Sequence, residues 1–316
     1  MLALSVHKGF NFARSTFRYM STTKVAVVGC GALGLNYGTR LLEAQLVNKK
    51  PLDVSLVLRR DYDLVSQKGL RVEYGKANED KRILTLSADM LKGALFPATT
   101  DLVESKGQMD WVIVCCKSYS IDDSLRQSIE PLMGSDSKLM VIMNGLGVED
   151  PFIKWFGADR VYGALSLIAC NRGPNPPVED GPLVVNVYLD LKLEVAHVSD
   201  DVQKTQAAID LFGMTSLQDL VVLSKNLIRS RWDKLCWNLT FAGIGVAMGG
   251  LTCDVIVNDP SLRTLANGVI KDVIRVANAD ILRQHRARHL QVGSTNVPPC
   301  LDFIDEQAVF GKSRVC

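Results

Sequence analysis

Acidic residues are missing from the first 42 positions, and Glu43 is the first in the chain. Also missing is any uninterrupted apolar run near the ~20 residues that a membrane-spanning helix needs, which argues against a helical membrane protein. Neither an internal repeat nor a low-complexity linker occurs. Histidine is scarce, and His285 and His289, though spaced i, i+4, have no third ligand in view. They share a stretch with Arg275, Arg283, Arg286 and Arg288, so a solvated basic face is expected there and no metal site. The eight cysteines (Cys30, Cys115, Cys116, Cys170, Cys236, Cys253, Cys300 and Cys316) lack metal-ligand spacing and sit mostly in apolar runs. They read as reduced, intracellular thiols. A net charge of +2 gives no electrostatic case for a nucleic-acid or membrane-surface partner.

What remains is an ordinary globular composition, 47% hydrophobic and 22% charged, in a chain of 316 residues, long enough for two domains with their own cores. The acid-free leader carries Lys8, Arg14 and Arg18. As a helix it would gather His7, Lys8, Arg14 and Arg18 on one side and Leu2, Val6, Phe10 and Phe17 on another. Residues 1–23 therefore read as a mitochondrial transit peptide, with Arg18 placed for processing after Met20. Translation from Met20 would instead give a cytoplasmic protein.

Lys24–Val28 is a short β-rich run that feeds Gly29-Cys30-Gly31-Ala32-Leu33-Gly34, and a helical stretch follows to about Val47. Strand, glycine turn and helix in that order are a dinucleotide-binding unit. Gly29 permits the tight turn, Gly31 lets a pyrophosphate approach the backbone, and Gly34 lets helix and strand pack closely. The helix N-terminus offers free N–H groups to the phosphates. A second strand, Val54–Leu58, ends at Arg59 and Arg60, where an NAD site would place an acid for the ribose 2′-hydroxyl. Guanidinium suits a 2′-phosphate, so NADPH is the expected cofactor. Asp61 and Asp63 come too late to be the ribose acid. Two further strands, Trp111–Cys115 and Leu139–Met143, lead to Lys117 and to Asn144-Gly145. Ligands of parallel α/β sheets lie beyond the strands' carboxyl ends, which puts Lys117 and Asn144 near the nicotinamide half of the cofactor. Runs at Val161–Cys170 and Leu183–Leu189 predict that the sheet continues beyond its parallel core, as an antiparallel extension.

After about Val222 the pattern turns helical. In Arg231–Leu239, Lys234 and Asn238 stand one turn apart, beside an apolar face with Leu235 and Leu239. The spacing alone admits a surface lysine or a polar cleft. A second helix is expected from Asp259-Pro260 to about His289. The expected organisation is a Rossmann-type, doubly wound α/β domain over residues 24–222, then a smaller all-helical substrate and dimerisation domain over 223–316.

Together, Gly29-Cys-Gly-Ala-Leu-Gly34, Arg59, Lys117 in Cys-Cys-Lys-Ser, Asn144 in Asn-Gly-Leu-Gly and Trp232-Asp-Lys-Leu-Cys-Trp-Asn238 resemble the ketopantoate reductase (2-dehydropantoate 2-reductase) family. The similarity runs in order from Lys24 to about Gln307. It implies a substrate cleft between the two domains and hydride transfer from NADPH to the ketone of 2-dehydropantoate, a small 2-oxo acid, giving pantoate for pantothenate synthesis. Lys234 would match the catalytic lysine and Asn238 a substrate-binding asparagine. Lys117 and Asn144 would match residues between cofactor and substrate. A lysine of pKa ~10 is charged at neutral pH and can polarise the ketone, then protonate the alkoxide. Two departures stand out. Ala242 occupies the position of a second substrate asparagine. The C-terminal segment that carries the family's serine and glutamate also has no counterpart after Leu301–Glu306, Ser313 included, so the helical domain reads as truncated. Alternatives are an NADPH-binding protein that has lost catalysis, or a related enzyme of the 6-phosphogluconate dehydrogenase type. A homodimer through the helical domain is a further expectation.

Overall fold

A computed structural model of the chain describes residues 21–75, 81–173 and 181–292. Residues 1–20 of the leader, the side chains of His285 and His289, and residues 293–316 with Leu301–Glu306 and Ser313 lie outside the described residues or side chains, while Thr23, the leader's expected last residue, already belongs to the first strand. The first unit is β1 (Thr23–Val28), α1 (Ala32–Leu46), β2 (Leu52–Val57), α2 (Tyr62–Lys68), β3 (Leu70–Tyr74) and β4 (Arg82–Leu86). Next come β5 (Leu95–Phe96), α3 (Thr99–Lys106), β6 (Met109–Val114), α4 (Asp123–Ile129), β7 (Met133–Ile142) and α5 (Asp150–Phe156). Two long strands follow, β8 (Val161–Arg172) and β9 (Leu183–His197), then α6 (Val202–Gly213) and β10 (Val221–Leu223). The chain then becomes helical through α7 (Leu227–Trp237), a π-helical turn (Asn238–Ala242), α8 (Gly243–Ala247), α9 (Cys253–Asn258) and α10 (Pro260–Val292).

The strands form one mixed sheet in the order β4-β3-β9-β8-β7-β6-β1-β2-β5, with β10 beside β9. From β5 to β8 all neighbours are parallel, as βαβ crossovers require. The extension is antiparallel where β9 meets β8, then parallel again at β3, which pairs Leu70–Tyr74 with Leu183–Val187. Because β9 runs on to His197, eight residues past the expected end at Leu189, it has the length to bend. The sheet wraps as a half-barrel around α1, and ten of that helix's 15 residues are buried. The strand expected at Val54–Leu58 spans Leu52–Val57, and those expected at Trp111 and Leu139 begin earlier, at Met109 and Met133.

Enclosure explains the polar residues inside α1. Tyr37, wholly buried, shares a hydrogen bond of 2.5 Å with the Ser166 hydroxyl on β8, and Arg40 is ion-paired with Asp190 on β9. A second core lies on the opposite face of the sheet, where Leu102, Ile129 and Phe152 of the covering helices meet Val112, Val114 and Val141. In the helical unit, Trp232 and Cys236 of α7 pack on Ile270, Ile274, Ala277 and Ile281 of α10. Asp259 caps α10, its Oδ1 accepting from the Ser261 and Leu262 amides, and Pro260 fills the first position. One expectation for α7 fails. Leu239, expected on the apolar face beside Leu235, is 46% exposed, because the π-helical turn that starts at Asn238 rotates the residues beyond it.

The buried Tyr37–Ser166 bond yields a stability prediction. Tyr37→Phe should lower the unfolding free energy by about 1–2 kcal/mol, since the Ser166 hydroxyl stays buried without its partner. Urea denaturation measures it, and an unchanged midpoint would contradict the assignment.

Candidate active site

The glycine turn stands at the carboxyl end of β1, between the ends of β2 and β6. Gly29 has φ +87°, and a Cβ there would lie 2.6 Å from the Cys116 amide nitrogen. A Cβ on Gly34 would overlap the Gly29 carbonyl and come within 3.2 Å of the Cys115 Cβ. Gly31 differs: its φ of −75° suits any residue, and a Cβ there would meet nothing within 4 Å. Open space over Gly31, at a helix end with no side-chain cap, is what an approaching pyrophosphate needs. The first bond of the helix is Leu35 N–H to the Gly31 carbonyl, which leaves the amides of Ala32, Leu33 and Gly34 ahead of the ladder. These residues fit a dinucleotide.

Arg59 and Arg60 follow β2 on the surface. Arg60 lies 3.5 Å from Asp61, whose carboxylate is tied at 2.6 Å to Arg172 of β8. Arg59 has no ion pair among the described residues, and its charge reaches the Cys116 thiol beside the turn. Burial pushes the thiols up, to about 12 for Cys30 and about 11 for Cys116 and Cys170. These three sulfurs are therefore protonated and weakly nucleophilic at neutral pH.

Lys117 and Asn144 are both exposed, after β6 and β7. Lys117's charge reaches Cys170 on β8. The backbone on either side of Asn144 is held from the helical unit: Arg231 of α7 donates from Nη1 to the carbonyls of Met143 (2.8 Å) and Gly145 (3.2 Å). Its Nε donates to both carboxylate oxygens of Glu149, at 2.8 and 3.0 Å, and Nη2 donates to the same group. Side-chain exposure is 3% for Arg231 and 6% for Glu149. Burial raises the Glu149 carboxyl above its ordinary range, with the arginine opposing that shift. Gly163 of β8 makes the room, since a Cβ there would overlap the Glu149 carboxylate and lie 2.6 Å from Leu227.

Three residues after Arg231, Lys234 donates from Nζ to the Ser166 carbonyl at 2.5 Å. Burial, with a smaller contribution from the Arg231 charge, lowers the lysine to about 8. Lys234 is thus a half-buried cation against the sheet and not a surface lysine. Asn238 follows at the end of α7, half-buried, its amide bonded to the Lys234 and Leu235 carbonyls. Ala242, at the position of the absent second asparagine, is exposed. Neither Arg231 nor Glu149 stood out in the sequence. Their signals were a glycine at 163 within a strand, which marks a close approach, and an arginine on the same helix face as Lys234.

A glycine-turn α/β unit joined to a helical unit that presents a lysine across the sheet is the architecture of a nicotinamide-dinucleotide oxidoreductase. Comparison with known proteins narrows this class. Residues 25–179 match the family model described as ketopantoate reductase PanE/ApbA, and residues 226–297 match the model of its C-terminal region. The 2-dehydropantoate 2-reductase of Nostoc sp. is 26% identical over 263 residues, covering 80% of this chain and 72% of that protein. The enzyme of the same name from Lactococcus lactis is 22% identical over 226 residues, covering 70% and 63%. Among solved structures, 2-dehydropantoate 2-reductase of Geobacter metallireducens superposes with a TM-score of 0.71 at 24% identity, covering 92% of this chain and 81% of that one. A D-mandelate dehydrogenase solved with NADH and anilino(oxo)acetate gives 0.68 at 18%, covering 93% and 80%. The chain belongs to the ketopantoate reductase family.

Two glycine variants separate packing from binding. Gly34→Ala should destabilise the fold by about 1–3 kcal/mol through overpacking. Gly31→Ala should leave the melting temperature unchanged but weaken dinucleotide binding about tenfold, the equivalent of one charge-assisted hydrogen bond. Thermal melts and nucleotide-fluorescence titrations measure the two, and equal effects in both assays would contradict the cradle.

Proposed function

We propose that the chain reduces 2-dehydropantoate to pantoate at the expense of NADPH, in pantothenate synthesis. The carrying observation is Lys234: a lysine lowered to about 8 and turned to Ser166 of β8, the residue whose hydroxyl bonds Tyr37 of the cradle helix α1. Gly29, Cys30, Gly31, Ala32, Leu33 and Gly34 would hold the pyrophosphate, and exposed Arg59 would take the 2′-phosphate. When bound, the reduced nicotinamide supplies the hydride. The Ser166 carbonyl accepts one of the three N–H bonds of the Lys234 ammonium, leaving two for the substrate. The ammonium polarises the ketone oxygen and then gives it a proton, so that C=O becomes CH–OH. Asn238, one turn on, would orient the substrate, while Lys117 and Asn144 would stand between it and the nicotinamide. The family membership supports this reading, as does Asp61, whose engagement by Arg172 keeps it from serving as a ribose acid.

The acid-free leader, whose residues 1–20 lie outside the described residues, supports mitochondrial import, with cytoplasmic residence if translation starts at Met20. Apolar side chains exposed on the helical unit, among them Leu239, Val246, Met248 and Val255, are consistent with a homodimer through that unit.

The test is NADPH oxidation by the full chain with 2-dehydropantoate. Lys234→Ala should lower kcat by about 10²–10⁴-fold while NADPH still binds. Because the protonated lysine is the acid, kcat/KM should hold through pH 6–7 and fall above about 8, where the group loses its proton. Arg59→Ala should raise the NADPH Kd by roughly 10–100-fold and leave NADH binding near its starting value. Tight NADPH binding without turnover would refute the reductase reading and leave a cofactor-binding remnant.

A further inference from the structure

Several features outside the reacting groups bear on the site. The protonated, partly buried thiols lack the reactivity a redox switch needs. The exposed apolar side chains of the helical unit do not by themselves identify an occupant. The Arg231–Glu149 pair is different, because it touches both halves of the site. Its arginine holds the two carbonyls that flank Asn144, and it lies on the same face of α7 as Lys234. Its carboxylate caps no amide of α5, the helix it precedes, and points instead to the helical unit. Apolar contact between the units here is small, centred on Leu227 against Leu165 and Ala196. An apolar contact of that size permits sliding, whereas a forked guanidinium with four acceptor atoms does not.

We propose that Arg231 and Glu149 are positioning residues of the reductase site. The buried pair locks α7 onto the Asn144 loop and so fixes where the Lys234 ammonium stands relative to the substrate carbonyl. The inference rests on the reductase reading above. It adds a second role, in which the Arg231 guanidinium beside Lys234 adds to the effect of burial on how readily the lysine holds its proton. Burial is the larger cause of the lowered lysine, Arg231 is the charge that adds to it, and Glu149 is the ion-pair partner of that arginine. On β9 and α10, which pack against α7, the acids Glu194 and Asp280 are already engaged. Lys192 and Ser230 bond Glu194, and Trp232, Arg283 and Gln284 bond Asp280. Tyr162 of β8 belongs to the core around α1, and Cys170 packs against that core. Asp233, on α7 itself, remains in place in every variant below.

Three full-length variants test this: Arg231→Met, Arg231→Lys and Glu149→Gln. Loss of the arginine's charge should move the basic limb of kcat/KM upward from about 8, toward the ordinary lysine range. Glu149→Gln leaves that charge uncompensated and should move the limb downward. Arg231→Lys keeps the charge but loses the fork, so the limb should stay in place. In all three kcat should fall, by about 10²-fold for a displacement near 1 Å. Trace acetylation of Lys234 with acetic anhydride against pH, read by peptide mass spectrometry, follows the same proton without turnover. Opposite shifts in that labelling would sustain the positioning role even if 2-dehydropantoate is not reduced, in which case only the substrate reading fails. Limbs and labelling curves that stay at the wild-type pH in Arg231→Met and Glu149→Gln, or undiminished kcat, would overturn the proposal. If Arg231→Met does not fold, Glu149→Gln and Arg231→Lys still decide it.

Discussion

Burying a guanidinium and a carboxylate together is not a cheap way to stabilise a fold, because each ion loses hydration worth several kcal/mol and their attraction only partly returns it. The Arg231–Glu149 pair is therefore better understood by what it orients. Its fork meets the carboxylate while one arm reaches the two carbonyls around Asn144, so four acceptor atoms from the α/β unit fix one side chain of the helical unit. Removing one partner of such a pair costs about 3–5 kcal/mol, since the other charge stays buried. The rest of the interface follows the same pattern. Asp200 takes the Leu227 amide at the start of α7, Glu194 takes the Ser230 hydroxyl, and Ser166 takes the Lys234 ammonium. Directional bonds, more than apolar area, set the register between the units.

The same logic runs through α1. Its first turn carries the glycine cradle, and one turn on Tyr37 bonds the Ser166 hydroxyl. The carbonyl of that serine receives Lys234. A single strand residue thus links the helix that would bind the phosphates to the lysine that would deliver the proton. Enclosing α1 within the half-barrel makes this link rigid, at the cost of placing Asn36, Tyr37 and Arg40 in the core, where Tyr37 and Arg40 find polar partners.

Local motifs were legible in the sequence because each is written in a few consecutive residues. The glycine turn, the arginine after β2, the polar residues after β6 and β7, and the Lys234–Asn238 helix all lie where their spacing put them. What connects them was not legible. Glu149 and Arg231 are 82 residues apart, and neither breaks a local pattern. The length of β9 was underestimated because polar Asp190, Lys192 and Glu194 interrupt its apolar run, and each is tied up only by folding: Asp190 by Arg40, Glu194 by Lys192. Leu239 was misplaced because helical periodicity assumes 3.6 residues per turn, and the π-helical turn breaks that assumption.

Charge placement completes the picture. A chain with a net charge of +2 has little long-range pull on an anionic cofactor or a 2-oxo acid. Attraction for anions must then be local, and several acids of the α/β unit are paired with cations. Asp61 is held by Arg172, Asp190 by Arg40, Glu149 by Arg231, and Glu194 by Lys192. Each pair removes a carboxylate that would repel a phosphate or a substrate carboxylate. Arg59 and Lys117 have no ion pair among the described residues, and Lys234 is bonded to a neutral carbonyl. Arg59 and Lys117 follow strands at the carboxyl end of the sheet and Lys234 reaches that sheet from α7, so positive charge left without an acid partner there gives that end a local attraction for anions.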